Sequence, residues 1–378
     1  MTVRCKRHII TTLLITATSL FAGENNKIAI GPYLQNVSHR SAVVCWSTLA
    51  GQSKLVNPDN SIEVFNEYAH HELLLDNLQP NTTYTYDVLG DGSPEGMGKV
   101  TTFPEKIEPF NFVVLGDTRS RHDIHKRNIE HVLAEKPLFV MNTGDLVSNG
   151  KRIQDWEKFF ELNNALMRNT PYFPMLGNHE RDSKFYYDFF NLPGNERYYS
   201  FSVGDVFFLV LDLEGEDYLT PEYLKNDASR EFYWNNYNLQ YFTQQKEWAE
   251  HQLTMAKDAG FIFVLFHKPL FSVKKSRVEG TKMRRKFWGD IFERHGVQVV
   301  MNGHDHHYHR AFNGGTHYIT TAGGGAGLYE PDTPQPETQK IAKIEHILKV
   351  EVGLEQATLT AIDINGDIIE SVVVDKRK

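Results

Sequence analysis

The chain has 378 residues, 40% hydrophobic and 23% charged, which is enough apolar content for two ordinary domains, one of them able to enclose a buried site. Its formal charge of -8 excludes a general binder of nucleic acid or of anionic membranes, and its composition excludes a disordered chain. One basic stretch runs against that balance: Lys274, Lys275, Arg277, Lys282, Arg284, Arg285 and Lys286.

Residues 1–23 are predicted to be a secretory signal, because Arg4, Lys6 and Arg7 precede an apolar run from Ile9 to Ala22 that is too short for a convincing membrane span. Cleavage between Ser19 and Gly23 would place the chain outside the cell or in the periplasm or cell envelope. No stable membrane anchor is expected, since no Cys follows the run to take a lipid. Cys5 falls inside this leader, which leaves Cys45 alone in the mature chain and removes any internal disulfide. Within Ala42-Val43-Val44-Cys45-Trp46 it reads as a small core residue.

Residues 28–104 read as all-β: short apolar or alternating runs such as Ser41 to Thr48 and Thr83 to Leu89 are separated by clusters of Gly, Pro, Asn and Asp. The segment Leu78-Gln79-Pro80-Asn81-Thr82-Thr83-Tyr84-Thr85-Tyr86 resembles the tyrosine corner of fibronectin type III sandwiches, where a Tyr hydroxyl ties a strand to the preceding corner. That resemblance implies a sandwich of about one hundred residues or slightly fewer, with Phe103 to Pro109 as its linker.

From residue 110 to 376 the texture is α/β. Phe112 to Leu115, Leu138 to Met141, Val206 to Leu211, Phe261 to Phe266 and Val297 to Met301 are nearly continuous apolar runs, as strands covered on both faces require. Arg121 to Lys136 is predicted to be a helix with Ile124, Ile129, Val132 and Leu133 on one face, and Leu239 to Ala259 another, stopped by Gly260. Leu348 to Ile364 reads as two final strands joined near Gly353, within a closing segment 345–376. The aromatic segment 231–237 reads as an inserted lid or packing element.

Each buried run ends in a group able to bind metal: Gly116-Asp117, Gly144-Asp145, Gly177-Asn178-His179, His267 and Gly303-His304-Asp305-His306. A lone Gly-Asp pair is usually a turn, but five such groups at strand tips, where loops of a layered sheet converge, point to one site. Oxygen and imidazole donors without thiolate suit Zn, Mn or Fe, and six donors are too many for one tetrahedral ion.

The ordered array resembles the calcineurin-like metallophosphoesterases from Phe110 to Leu328. Gly31-Pro32-Tyr33-Leu34-Gln35-Asn36 and the run Gly303 to Arg310 are similar to the purple-acid-phosphatase-like branch. The resemblance implies a layered αββα domain holding two metal ions, with Asp117 and His306 on the first, Asn178, His267 and His304 on the second, and Asp145 bridging. It implies His179 as the catalytic imidazole, which Glu180 would orient. Hydrolysis of a small phosphate monoester by in-line attack of a metal-activated hydroxide is the activity it implies, with phosphodiesters or nucleotides as the alternative.

Two positions depart from the family pattern. Ser148 stands where the purple enzymes carry a Tyr, so no tyrosinate-to-iron colour is expected, and Arg119 stands where other members carry His or Gly. Arg119 has two readings, a surface cation or a phosphate clamp. The first metal site is thus one protein ligand short, weak or completed by water. An extracellular binding protein with a degenerate metal site is the competing class. His307 and His309 are read as supporting or solvated residues, and the basic stretch after His267 as a solvated loop.

Overall fold

The structure, a computed structural model, describes residues 27–56, 62–89, 92–215 and 239–378. The leader 1–23 and the aromatic segment 231–237 lie outside the described residues.

Five strands come first: β1 (Ile28–Gln35), β2 (Ala42–Val56), β3 (Ile62–Leu75), β4 (Thr83–Asp87) and β5 (Met97–Thr101). They form an antiparallel sheet in the order β1-β2-β3 and a separate pair β4-β5, consistent with a β-sandwich. The predicted corner is present, with the Gln79 backbone N–H donating to Tyr84 Oη at 2.8 Å. Cys45 is a buried free thiol on β2.

The α/β part runs β6 (Phe110–Leu115), α1 (His122–Glu135), β7 (Phe139–Asn142), α2 (Ile153–Met167), β8 (Tyr172–Pro174), α3 (Lys184–Phe189), β9 (Tyr199–Val203), β10 (Val206–Val210), α4 (Leu239–Met255) and β11 (Phe261–Leu265). A helical stretch from Lys275 to Arg294 follows, then β12 (Val299–Asn302), β13 (Tyr308–Asn313), β14 (Thr316–Thr321), β15 (Thr338–Ala342), β16 (His346–Val352), β17 (Gln356–Asp363) and β18 (Ile368–Asp375). These build a six-stranded sheet, β18-β17-β16-β6-β7-β8, and a seven-stranded sheet, β15-β13-β14-β12-β11-β10-β9. In the six-stranded sheet β6, β7 and the edge strand β8 run parallel while β16, β17 and β18 pair antiparallel; in the seven-stranded sheet β10, β11, β12 and β14 run parallel and the outer strands β9, β13 and β15 pair antiparallel.

The two sheets meet through aromatic side chains. Phe112 and Phe139 of one lie edge-on to Phe208 of the other, with ring centroids 5.2 and 5.3 Å apart. Each fully buried Phe of this seam stabilises by roughly 1.5–3 kcal/mol. The opposite face of the seven-stranded sheet carries Leu209, Ile262 and Val264 against Phe242 and Leu253 of α4 and Ile291 and Phe292 of the helical stretch. The layered αββα arrangement follows from the double-sided burial of these strands.

Three expectations need correction. The buried face of α1 is His125, Asn128, Ile129 and Val132, not the apolar set alone: Leu133 is exposed. The spacing is still helical, and the two polar members are tolerated because Asn163 donates to His125 Nε2 at 3.0 Å and Asn128 donates to the Gly323 and Gly324 carbonyls. The chain closes with three strands, not two, the last being an edge strand with Ile368 and Val373 exposed. The basic stretch is helical, not a solvated loop, and its arginines are tied inward: Arg277 to the His304 carbonyl, Arg284 to the Pro269 carbonyl and Arg285 to Glu337.

Candidate metal centre

Asp117, Asp145 and Asn178 follow the parallel strands β6, β7 and β8 of one sheet, while His267 and His304 follow β11 and β12 of the other. Parallel strands end on the same side, so five tips converge at the rim where the two sheets meet. Three of the donors sit in left-handed backbone, Asp117 at φ 55°, Asp145 at 57° and His304 at 70°. Such a conformation is uncommon for residues with a Cβ and clusters at functional sites. Glycine is needed at two neighbouring positions: a Cβ on Gly303 would come within 2.7 Å of Asp117 Oδ2, and one on Gly177 would collide with the Asp145 carboxylate.

Backbone carbonyls fix the imidazoles from behind. His267 Nδ1 is 2.7 Å from the Thr143 carbonyl and His306 Nδ1 is 2.6 Å from the Gly327 carbonyl, so each donates there and turns a bare Nε2 inward. His267 Nε2 then lies 3.2 Å from Asn178 Oδ1, 3.2 Å from His304 Nδ1 and 3.3 Å from Asp145 Oδ1. His306 Nε2 lies 3.1 Å from Asp117 Oδ1, an oxygen that is fully buried and has no hydrogen-bond partner.

Lone pairs facing lone pairs repel unless a cation lies between them. Ligands about 2.1 Å from one ion are separated by about 3.0–3.4 Å from each other, and these donors have that spacing. One ligand atom each from Asp117, Asp145 and His267 also falls within 4.8 Å of the others. Burial and the neighbouring His267, Arg277 and Lys268 hold the His304 imidazole well below its ordinary range, in the neutral form that binds metal. Burial alone would raise Asp145, yet His267, His179 and Arg119 beside it keep its carboxyl below the usual value.

His179 stands apart. Its Nδ1 is 2.7 Å from the Ser148 carbonyl and its Nε2 is 3.8 Å from Asp145 Oδ2, with the ring one-quarter exposed. The expectation that Glu180 orients it is overturned. Glu180 is buried and accepts three backbone N–H groups instead, from Asp145 at 2.9 Å, Leu146 at 2.8 Å and Gly177 at 2.6 Å. Burial and Asp145 push its carboxyl upward while those N–H groups act the other way. It fastens the β7 and β8 loops together, and the residue that positions His179 is Ser148, through its main chain.

Arg119 is not a surface cation, since its side chain is only 15% exposed. Nε is 3.3 Å from Asp145 Oδ2, Nη2 is 3.4 Å from His306 Nε2 and Nη1 is 3.4 Å from Ser120 Oγ. Tyr329, which the motifs did not mark, stacks on His306 with centroids 3.9 Å apart and carries Lys274 Nζ 3.6 Å above its ring. His307 and His309 are buried, not solvated, and His309 Nε2 pairs with Thr338 Oγ1 at 3.1 Å.

A family model described as calcineurin-like phosphoesterase matches residues 110–308, more than half of the chain. The chain belongs to the calcineurin-like phosphoesterases. Among their members it is similar to phosphoenolpyruvate phosphatase of Allium cepa, 27% identical over 65% of this chain and 51% of that protein. It is likewise 27% identical to purple acid phosphatase 21 of Arabidopsis thaliana over 69% of this chain and 59% of the relative. The chain spans about half the length of the curated relatives it matches. The purple acid phosphatase from yellow lupin seeds shares the fold, with a TM-score of 0.69 at 16% identity over 91% of this phosphoesterase and 74% of that structure.

Proposed function

We propose that this calcineurin-like phosphoesterase is an exported, metal-dependent phosphatase acting on small phosphate monoesters. The observation that carries the reading is the convergence of Asp145 Oδ1, Asn178 Oδ1 and His304 Nδ1 on His267 Nε2, which lies 3.3, 3.2 and 3.2 Å from them. On the other side Asp117 Oδ1 and His306 Nε2 face each other, and Asp145 Oδ2 points the same way, toward Arg119 and away from the oxygen that faces His267. Asp145 thus holds the place of the carboxylate that would bridge in a two-ion member of the family, with one oxygen toward each group of donors. A bound divalent ion supplies Lewis acidity toward phosphate oxygens and lowers the pKa of its water.

The chain's own groups divide the remaining work. Ser148 holds the His179 Nδ1 proton on its carbonyl and leaves Nε2 facing the site; in the imidazolium form, with both nitrogens protonated, Nε2 passes its proton to the leaving alkoxide and the ring returns to neutral. Arg119 has five N–H donors, three of them engaged by Asp145, His306 and Ser120, and the remaining two suit a phosphate oxygen. Export rests on the charged and apolar leader in the sequence; among the described residues no helix is long and apolar enough to cross a membrane. We read residues 28–104 and 110–376 as the two domains, with the site wholly in the second.

The test is hydrolysis of p-nitrophenyl phosphate and bis(p-nitrophenyl) phosphate by the metal-loaded chain, with Asn178→Ala as control. The monoester is expected to turn over faster, and the variant to lose both bound metal and activity. Faster cleavage of the diester would reassign the substrate class. Equal rates in both proteins would remove the catalytic assignment.

A further inference from the structure

We propose that the Arg119 guanidinium takes the place of one cation of the family's two-ion centre, so that this chain binds a single divalent ion, at Asp145, Asn178, His267 and His304. The proposal rests on the phosphoesterase reading above and concerns only how many ions that site takes. Arg119 lies two residues beyond Asp117, on the turn that leaves β6. Its flat cation spans two of the three donors on the Asp117 side, with Nε 3.3 Å from Asp145 Oδ2 and Nη2 3.4 Å from His306 Nε2. The third donor, Asp117 Oδ1, is 3.1 Å from the same His306 nitrogen.

A guanidinium stays charged throughout the pH range in which a protein is folded. It has N–H donors and no lone pair, so it can neutralise Asp145 but cannot serve as a metal ligand. Nitrogens 3.3–3.4 Å from two donors stand where neighbouring ligands of a shared ion would stand, and there they repel the ion instead of holding it. Ser148, at the position where the purple enzymes carry Tyr, does not compensate: its hydroxyl lies 3.4 Å from Ser120 Oγ.

Charge points the same way. Two divalent ions with Arg119 would bring five positive charges against the two carboxylates Asp117 and Asp145, both buried. One ion with Arg119 brings three. With Arg119 in the first position and Ser148 where the purple enzymes carry Tyr, no tyrosinate-to-iron band is expected.

The experiment uses the full chain, stripped with a chelator and titrated with Zn²⁺ or Mn²⁺ by calorimetry and elemental analysis. One ion per wild-type chain is expected, and two per Arg119→His chain, the second more weakly held. With Mn²⁺, paramagnetic resonance should show an isolated ion in the wild type and a spin-coupled pair in the variant. Arg119→Gln, which removes the charge and adds no imidazole, is expected to tighten a second ion at least tenfold. Two ions of similar affinity in the wild type would overturn the proposal, and that measurement stands even where a variant does not fold. A folded Arg119→His chain that still takes one ion would overturn it too. A wild type that binds none sinks the metal-centre reading itself, whereas one ion without hydrolysis of either aryl phosphate keeps the stoichiometry and sinks the phosphatase reading.

Discussion

His179 differs from the donors around it in how it is held. Those donors face one another across 3.1–3.3 Å, whereas its Nε2 stands 3.8 Å from Asp145 Oδ2 and its ring reaches solvent. His179→Ala is therefore expected to keep the wild-type metal content while kcat falls by about 10²–10⁴-fold, the usual contribution of a positioned acid or base. Elemental analysis beside steady-state kinetics reads both, and metal loss in this variant would turn His179 into a ligand. The donors were legible from sequence because each sits just past an apolar strand, where only a functional need explains an Asp or His. The partner of His179 was not legible, because a main-chain carbonyl such as that of Ser148 is present at every residue. Tyr329 was equally hidden, since nothing local to Leu328-Tyr329-Glu330 tells that its ring will stack on His306.

At the scale of elements, the site is a set of loops that must be kept in register at the ends of β7, β8, β11 and β12. Glu180 does this for two of them by accepting N–H groups from Asp145, Leu146 and Gly177. Glu180→Ala leaves three buried donors without that acceptor, each costing about 1–3 kcal/mol. A drop of several kcal/mol in urea unfolding is expected. A change within experimental error would mean that the loops are held by other contacts. The central strands were readable because double-sided burial makes them continuous apolar runs. The edges were not: β15 is Thr-Gln-Lys-Ile-Ala and only partly buried, and its pairing with β13 is a matter of tertiary position, not of local pattern. The sandwich resemblance located the tyrosine corner, while the division into sheets of three and two strands depends on pairings that no short motif encodes.

The molecule as a whole is joined across its parts by hydrogen bonds between buried or half-buried groups. Tyr33 Oη donates to the Phe189 carbonyl at 2.6 Å, Gln35 Nε2 to the Tyr172 carbonyl at 2.9 Å and Tyr86 Oη to the Arg168 carbonyl at 2.7 Å, so the sandwich is seated on the α2, β8 and α3 side. Acid should loosen this body through buried histidines that are not among the metal donors. Burial lowers His125 to about 4 and His346 to about 4. Between the unfolded value near 6.5 and that figure, the unfolded chain takes up protons that the fold refuses. The stability these residues contribute is thus complete above about pH 6.5, falls as pH drops toward 4, and changes no further below, by roughly 3 kcal/mol each. Melting temperatures at pH 7 and 4.5 should show this loss, with a shallower fall in His125→Asn; parallel slopes would exclude His125 as a source. The carbonyls of Thr143 and Gly327 have a last consequence for His267 and His306. Each ring takes its tautomer and its direction from a carbonyl outside the donor set, so a substitution that shifts the Thr143 or Gly327 main chain is expected to disturb the site without touching a donor.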